Sequence, residues 1–170
     1  MATLKNLQEL LVDELRDLYS AETQLTKALP KMAKAANNPE LKAGFEEHLT
    51  QTRGHLERLD QIFEILDEKA KGKTCHAMEG LVEEGSEAID LDAPEPVQDA
   101  ALIGAAQRVE HYEVAAYGTA RAFATALGMK DVADLLLQTE REESETDKKL
   151  SALAKKVNQD AKAIPAEAAA

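Results

Sequence analysis

The chain has 170 residues, of which 32 are acidic and 20 basic, so that its formal net charge is −12. This length suits one domain with a sizeable core, and the acidity argues against nucleic acid and anionic membrane surfaces as partners, because both require a basic face. Aromatic residues make up only 4% of the chain and there is one cysteine, which disfavours a β-sandwich or barrel and excludes an intramolecular disulfide.

The first predicted elements are two long helices joined by a short turn. Leucines recur at three- and four-residue steps over Thr3–Ala36, which is the period of a helix. Pro30 lies inside this segment and is expected to kink the helix or to end its regular part. Asn38 is a suitable cap for a second helix over Pro39–Glu68, whose proline suits the first helical position. The short connection predicts an antiparallel hairpin.

A long connection and a second hairpin follow. The 28 residues of Lys69–Pro96 contain a polar loop, a short amphipathic helix over 77–89 and a breaker, DLDAPEP. A third long helix is predicted over Val97–Leu127, with Gly128 suited to its C-terminal cap. A fourth is predicted over Lys130–Val157.

The order of these elements predicts an all-α fold. A 30-residue helix is roughly 45 Å long, and the long connection has enough residues to cross that length. Two hairpins joined by one such crossover are typical of a ferritin-like four-helix bundle with a short extra helix in the connection. We expect residues 1–158 to form this bundle and residues 159–170 to form a frayed or disordered tail.

The sequence also bears on the compartment. The N-terminal segment carries Glu9, Asp13 and Glu14 where a secretory signal would need an unbroken apolar stretch. The longest apolar runs fall well short of the ~18 residues of a membrane span. With a single cysteine, Cys75, these features predict a cytoplasmic protein.

Two glutamates lie within apolar stripes at corresponding places in the two hairpins. A shift of 91 residues superimposes the apolar positions of the first hairpin on those of the second and places Glu22 on Glu113. Each is flanked along its helix by apolar residues: Leu11, Leu15, Leu18, Leu25 and Leu29 around Glu22, and Leu102, Ala106, Val109, Ala116 and Ala120 around Glu113. An ionised carboxylate in an apolar bundle costs several kcal/mol unless it is paired or bound to a cation.

The distances from the turns place further polar residues at the same level of the bundle. Glu22 and Glu113 each precede the turn of their hairpin by 15 residues, and the residues 15 positions beyond the two turns are Thr52 and Glu143. The second helix adds two histidines near this level: His48 and His55. These side chains are therefore expected to meet in one layer.

Two more acids are expected at this layer. Glu110 precedes Glu113 by one helical turn, and Asp147 follows Glu143 by one turn. Carboxylates and imidazole that converge in a helical bundle predict a site for two divalent cations, with two iron ions as the first choice and manganese as the alternative, because softer metals prefer thiolate. The predicted ligands are Glu22, His48, Glu110, Glu113, Glu143 and Asp147.

Other interpretations of these residues stay open. A glutamate on an apolar stripe can lie at its edge and reach solvent, and either histidine can be a core or a surface residue. In the acidic run TEREESETD, Glu142 and Glu145 are expected to point outward, and the direction of Glu140 is open. Tyr19 and Tyr117, each about one turn from a stripe glutamate, are expected to be hydrogen-bonding neighbours or packing residues.

Three segments of the chain resemble the YciF-type family of bacterial ferritin-like stress proteins: YSAETQLTKALPKMAKAA, CHAMEGLVEEGSEAI and DAALIGAAQRVEHYEVAAYGTARAFA. The likeness covers roughly residues 5 to 155. It implies a rubrerythrin-like bundle, a homodimer, cytoplasmic expression linked to stress, and a di-metal centre. Carried over by position, the inward residues of the family fall on the same six residues that are named above as ligands.

Two departures from such proteins bear on the site. Ferritin-like oxidases bring two Glu-x-x-His motifs, and none of the four histidines of this chain has a glutamate three residues before it. Gln51 stands where members of the family tend to carry glutamate, so helix two offers a weaker ligand set. The role of Glu79, a family feature, and of His55 is open. The alternative functions are a metal-free structural or interaction protein and an iron-storage subunit.

Overall fold

The computed structural model describes residues 4–165, and it confirms the all-α fold class. Five helices occur in this range: α1 (Leu7–Ala35), α2 (Pro39–Ile65), α3 (His76–Ile89), α4 (Glu95–Ala126) and α5 (Lys130–Lys162). The residues from 4 to 165 contain no β-strand. None of these helices is both long enough and apolar enough to cross a membrane.

The four long helices form a bundle in which α1 packs on α2 and α4, and α5 packs on α4 and α2. The carboxylate of Asp99, near the start of α4, accepts hydrogen bonds of 2.8 Å from the backbone N–H groups of Asn37 and Asn38, just beyond the end of α1. The start of α4 therefore lies beside the start of α2, and these two helices are parallel. This is the predicted ferritin-like order of two hairpins and one crossover.

The crossover follows α1 for most of its length, and α3 packs on α1 and α4. The backbone N–H of Lys73 donates to the carbonyl of Arg16 over 3.1 Å. Gly72 lies so close to Ser20 that a Cβ on Gly72 would be 3.2 Å from the backbone nitrogen of Ser20. Glycine is the residue that permits this approach, because any side chain would meet backbone atoms of α1.

The predicted turn and cap residues mostly perform their expected roles. The Asn38 side chain accepts hydrogen bonds from backbone N–H groups in the first turn of α2. Gly128 has φ +73°, the left-handed conformation expected of a residue that ends a helix. Pro30 does not end α1, which continues to Ala35. α1 begins later than predicted because the Asn6 side chain caps it, accepting from the N–H of Glu9 over 2.8 Å.

The last helix extends beyond its predicted end. α5 continues to Lys162, because Val157 is only 2% exposed and packs in the apolar core, and the next proline, Pro165, is the first residue after it that disfavours helix. The division into a bundle over 1–158 and a tail over 159–170 stays a prediction, and residues 166–170 of that tail lie outside the described part.

The core consists of two apolar clusters separated by a polar layer. One cluster lies toward the turn between α1 and α2 and includes Leu25, Leu29, Phe45, Leu102 and Leu150. The other lies toward the turn between α4 and α5 and includes Leu11, Leu15, Leu59, Phe63 and Leu136. Between them are the buried polar residues Glu22, His48, Thr52, His55, Glu110, Glu113, Thr139 and Glu143.

Candidate metal centre

The polar layer brings together four carboxylates and two imidazoles, with contributions from all four bundle helices. Each of these side chains is at most 3% exposed. They are Glu22 of α1, His48 and His55 of α2, Glu110 and Glu113 of α4, and Glu143 of α5. The layer arises because each of these helices interrupts its apolar stripe with polar residues at the same height.

The six side chains form two groups that share one residue. His48, Glu110, Glu113 and Glu143 each offer a ligand atom within 4.8 Å of the others. Glu22, His55 and Glu143 do the same. Glu143 belongs to both groups, and its two carboxylate oxygens point toward different histidines. Each group could hold a cation, and Glu143 would be shared between the two.

The distances show how closely the donor atoms converge. His48 Nε2 lies 3.4 Å from Glu110 Oε1 and 3.7 Å from Glu143 Oε2. On the other side, His55 Nδ1 lies 2.9 Å from Glu143 Oε1 and 3.2 Å from Glu22 Oε1. A donor set of oxygen and imidazole nitrogen suits iron, manganese and zinc.

Most donor atoms of the layer lack a hydrogen-bond partner. Within residues 4–165, eight buried side-chain nitrogen and oxygen atoms have none, and all eight belong to these six residues. They are Glu22 Oε2, His48 Nε2, His55 Nδ1, Glu110 Oε2 and both oxygens of Glu113 and of Glu143. Two of the eight, His55 Nδ1 and Glu143 Oε1, lie 2.9 Å apart as an ion pair, although not in hydrogen-bonding geometry. Buried polar atoms are almost always satisfied in proteins, so their concentration here fits a bound cation. The residues present therefore fit the metal centre that the fold implies.

The electrostatics of the layer also favour a cation. Burial, reinforced by the charges of Glu22 and Glu143, raises the pKa of Glu113 well above its usual value. Burial and the neighbouring Glu143 raise the pKa of Glu110 in the same way. The pKa of Glu22 is raised as well, chiefly by burial. A bound cation would relieve this repulsion and replace the protons that hold the carboxyls neutral.

The pKa of His55 is raised, whereas burial of a base normally lowers its pKa. Burial alone would lower its pKa, but contacts with Glu143 and Glu22 outweigh burial and raise the pKa to about 10. Burial would raise the pKa of Glu143, and its contacts with His55 and His48 outweigh this effect and lower it. In the metal-free protein, the imidazolium of His55 therefore occupies the position of a cation between Glu22 and Glu143.

A second contact fixes the orientation of His55. Its Nε2 lies 2.9 Å from Oε2 of Glu142. Arg58 holds that carboxylate through both terminal guanidinium nitrogens at 3.2 Å and also donates to Thr139. With its Nε2–H donated to Glu142, His55 presents Nδ1 to the centre. Such outer partners fix the tautomer and orientation of metal-binding histidines.

Two further neighbours orient ligands from outside the groups. The hydroxyl of Tyr117 donates to Glu22 Oε1 over 2.5 Å. Gln51 Oε1 lies 3.3 Å from His48 Nδ1, which leaves Nε2 of His48 toward the centre. Gln51 belongs to neither ligand group.

Five of the six predicted ligands lie together, and Asp147 does not. Asp147 is partly exposed, accepts a hydrogen bond of 2.9 Å from Gln107 and lies 3.2 Å from His111 Nε2. These two contacts are with side chains of α4, so Asp147 lies at the surface between α4 and α5. His111 lies at the surface.

The sequence-based analysis missed part of the site. Glu142 was expected to point outward, and instead it contacts His55. The role of His55 was left open, although its spacing of seven residues from His48 places both on one face of α2. That spacing was the signal for a second histidine ligand. The pairing of Arg58 with Glu142 depends on how α2 and α5 pack, which no local pattern encodes.

The remaining open residues lie away from the centre. Glu79 is exposed and lies 2.8 Å from His76. Glu140 pairs with Arg121 at 2.5 Å. Tyr19 packs edge-on against the ring of Phe63. Its side chain forms no hydrogen bond with any of the six residues of the polar layer. Only Tyr117 of the two tyrosines is a hydrogen-bonding neighbour of a stripe glutamate.

Comparison with known proteins shows the same architecture elsewhere. The crystal structure of the Escherichia coli stress protein YciF matches with a TM-score of 0.89 and 46% identity, covering 92% of this chain and 99% of that chain. YcfI from Rhodopseudomonas palustris, to which a structural role is provisionally assigned, matches with a TM-score of 0.84 and 44% identity, covering 86% of this chain and 94% of that chain. A protein from Xanthomonas campestris pv. campestris, 23% identical with a TM-score of 0.70, shares the fold.

The sequence comparisons agree with the structural ones. The chain is 47% identical to Protein YciF of Escherichia coli strain K12 over 152 residues, which are 89% of this chain and 92% of that protein. Residues 6–162 match the family described as Domain of unknown function (DUF892). The resemblance noted from the sequence is thereby confirmed, and the chain belongs to the DUF892 family as a relative of the YciF stress protein.

Proposed function

We propose that this YciF-type stress protein binds two divalent cations, iron or manganese, in the polar layer of its bundle. The observation that carries the proposal is the set of eight buried donor atoms without a hydrogen-bond partner, all directed into one layer. A protein that used these residues only for stability would leave several acceptors unsatisfied, at a cost of about 1–3 kcal/mol each.

The charges of the layer support two ions rather than one. The four carboxylates carry four negative charges when ionised, which two divalent cations would balance. The donors are oxygen and imidazole nitrogen, and the single thiol, Cys75, belongs to neither ligand group. This set favours iron or manganese over softer metals.

Each ion would have its own ligands and share Glu143. Glu22 and His55 would hold one ion, and His48, Glu110 and Glu113 would hold the other. Glu142 and Tyr117 would orient His55 and Glu22 from outside. Bound iron or manganese would supply electrons for the reduction of peroxide or oxygen, and the apolar clusters on both sides would keep bulk water away from the layer.

Elemental analysis of the untagged protein tests this proposal directly. We expect about two metal ions per chain after growth with added iron or manganese, as the two ligand groups require. The variant Glu143→Gln should lose most of this metal, whereas Glu145→Gln, an exposed residue on the same helix, should retain it. Less than about one ion per chain in the unmodified protein would contradict the proposal.

A metal-free structural function is the second candidate, and the role provisionally assigned to the Rhodopseudomonas relative favours it. In that case the raised pKa values of Glu110 and Glu113 would keep these carboxyls protonated and compatible with the core. Glu113→Leu separates the two functions. It would leave the metal content unchanged near zero in the structural case and would abolish bound metal in the other.

We also propose the homodimer and the cytoplasmic location that the resemblance implies. Sedimentation equilibrium of the full chain at several concentrations measures the dimer. Fractionation of cells that express the protein measures its compartment.

A further inference from the structure

A cavity of about 270 Å³ lies between α1, the crossover helix α3 and α4. Its wall is mostly apolar, and Gln24 and Ser86 are the uncharged polar residues that line it. The main wall residues are Leu25, Leu29, Met32, Phe45, Leu81 and Ile89.

The two ends of the cavity differ in charge. Glu110, a member of the first ligand group, belongs to the lining and is only 2% exposed. Lys27 and Lys31 also belong to the lining, but both are exposed and lie one turn apart on α1. Neither lysine forms a salt bridge with any residue between 4 and 165. The cavity therefore runs from a pair of cations at the surface to a carboxylate of the metal centre.

We propose that this cavity binds an amphipathic monocarboxylate, with its apolar chain inside and its carboxylate at Lys27 and Lys31. The site is distinct from the cation sites, and its existence does not depend on the proposed metal function. The two lysines set the direction of binding, because a carboxylate placed at the inner end, beside the buried carboxyl of Glu110, would leave water without gaining a cationic partner.

Other ligand classes fit the cavity less well. A sugar or a nucleotide would bury hydroxyl and amide groups against apolar walls without partners, which costs free energy for each group. A neutral hydrocarbon would fill the cavity but leave the two lysines without a role. A chain of about ten carbons with one carboxylate satisfies both the apolar walls and the cationic edge.

The apolar end of the bound ligand would lie next to the proposed metal centre. The end of the bound chain would lie against Glu110, which also lies beside His48 and Glu143 in the first ligand group. A bound chain would exclude water from that side of the first ligand group. Occupancy of the cavity is therefore expected to alter the environment of one cation.

Calorimetric titration of the full chain with decanoate tests the proposal, both as purified and after treatment with a chelator. We expect one binding site per chain with a dissociation constant below about 1 mM in both preparations. Decanol is the control for the carboxylate. It should bind at least about tenfold more weakly to the unmodified protein.

Two sets of variants locate the site. Gly85 lines the cavity, and a Cβ there would be only in ordinary contact with Met32 Sδ at 3.8 Å. Gly85→Leu should fold, fill the cavity and abolish binding. The pair Lys27→Ala and Lys31→Ala should weaken decanoate about tenfold without changing decanol, and the pair Lys34→Ala and Lys42→Ala, outside the cavity, should change neither.

Three outcomes would overturn the proposal. They are the absence of decanoate binding below about 1 mM, equal binding by the Gly85→Leu variant, and equal effects of the two lysine pairs. Sedimentation of Gly85→Leu adds a further test. If that variant loses self-association while decanoate fails to bind the unmodified chain, a second copy of the chain covers the cavity. Binding that persists in protein without metal supports the cavity even if the cation sites fail.

Discussion

At the scale of single residues, Glu113 carries the most information about the layer. It is fully buried, and both of its carboxylate oxygens lack a hydrogen-bond partner. Only a bound cation or a proton satisfies such a group. Its behaviour therefore reports directly on what occupies the centre.

Replacing Glu113 should separate stability from metal binding. In metal-free protein, Glu113→Leu removes a buried acid from an apolar surrounding and should raise the free energy of unfolding by about 1–3 kcal/mol. Urea unfolding in the presence of a chelator measures this change, and elemental analysis of the same variant should show the metal lost. Glu145→Leu, at the surface of α5, should change stability by less than about 0.5 kcal/mol. A destabilised Glu113→Leu variant that keeps its metal would contradict the assignment.

The raised pKa values of Glu110 and Glu113 predict how metal binding depends on pH. In metal-free protein the folded state holds these protons more tightly than the unfolded state does. Their contribution to stability is complete below the ordinary pKa of 4.5 and is lost as pH rises toward the raised values. Metal displaces the same protons, so the increase in Tm caused by Mn²⁺ should grow as pH rises above 4.5.

Differential scanning fluorimetry with and without Mn²⁺, in steps of pH, measures this trend. Glu113→Leu is the control and should show a smaller dependence on pH, because one of the competing protons is absent. A metal-induced shift that is constant from pH 4.5 upward would show that these carboxyls are not the ligands.

Glu142 should act on metal affinity through His55 without binding metal itself. Removing such an outer partner typically lowers metal affinity by 10- to 100-fold. We expect about this loss for Glu142→Ala, and a smaller loss for Glu142→Gln, whose amide oxygen still accepts from Nε2 of His55. Competition with a chromophoric chelator measures the affinity, with Glu145→Ala as the control. Equal affinity of Glu142→Ala and the unmodified protein would remove Glu142 from this role.

Most residues of the polar layer could be predicted from the sequence because three of them follow from counting. Glu22, Glu113 and Glu143 stand at equal distances from the hairpin turns, and helical geometry converts equal distances into equal heights. Asp147 lies outside both ligand groups, and its role as a ligand stays a prediction. The contact of Glu142 with His55 was missed because the packing of α2 on α5 decides which acids of α5 are covered.

At the scale of the elements, the helices and their order were predictable and their ends were less so. Proline and asparagine define the start of α2, and Gly128 defines the turn before α5. The start of α1 was misplaced because Asn6, three residues after the predicted start at Thr3, caps the helix. Apart from Gly72, nothing in the sequence of the crossover indicated how it packs over α1.

Substitution of Gly72 tests whether the crossover packs closely on α1. Gly72→Ala would place a Cβ within 3.2–3.3 Å of the backbone of Ser20, so we expect a loss of about 1–3 kcal/mol in the free energy of unfolding. Gly80→Ala is the matched control, because its Cβ would meet nothing within 4 Å, and it should raise stability by about 0.5–1 kcal/mol through helix propensity. Urea unfolding measures both variants. Equal effects would show that the crossover does not pack closely on α1.

At the scale of the whole molecule, the polar layer divides the core into two apolar clusters. All four bundle helices meet at this layer, and each contributes at least one of the six donor residues. Bound cations would therefore link the two hairpins at mid-height, where apolar packing is interrupted. Without cations, repulsion among the carboxylates acts at the same place.

Removal of metal should therefore loosen one level of the bundle in all four helices together. When free metal is at about 1,000 times its dissociation constant, it should stabilise the fold by about 4 kcal/mol, which for a chain of this size corresponds to roughly 10 °C in Tm. Hydrogen exchange followed by mass spectrometry should show the extra protection in the segments around Glu22, His48 to His55, Glu110 to Glu113 and Glu143. Peptides from α3, which contributes no donor, are the internal control and should change least. Uniform protection across the chain, or none, would show that the layer is not where metal acts, because ligands from four helices can only be ordered by a cation at the level they share.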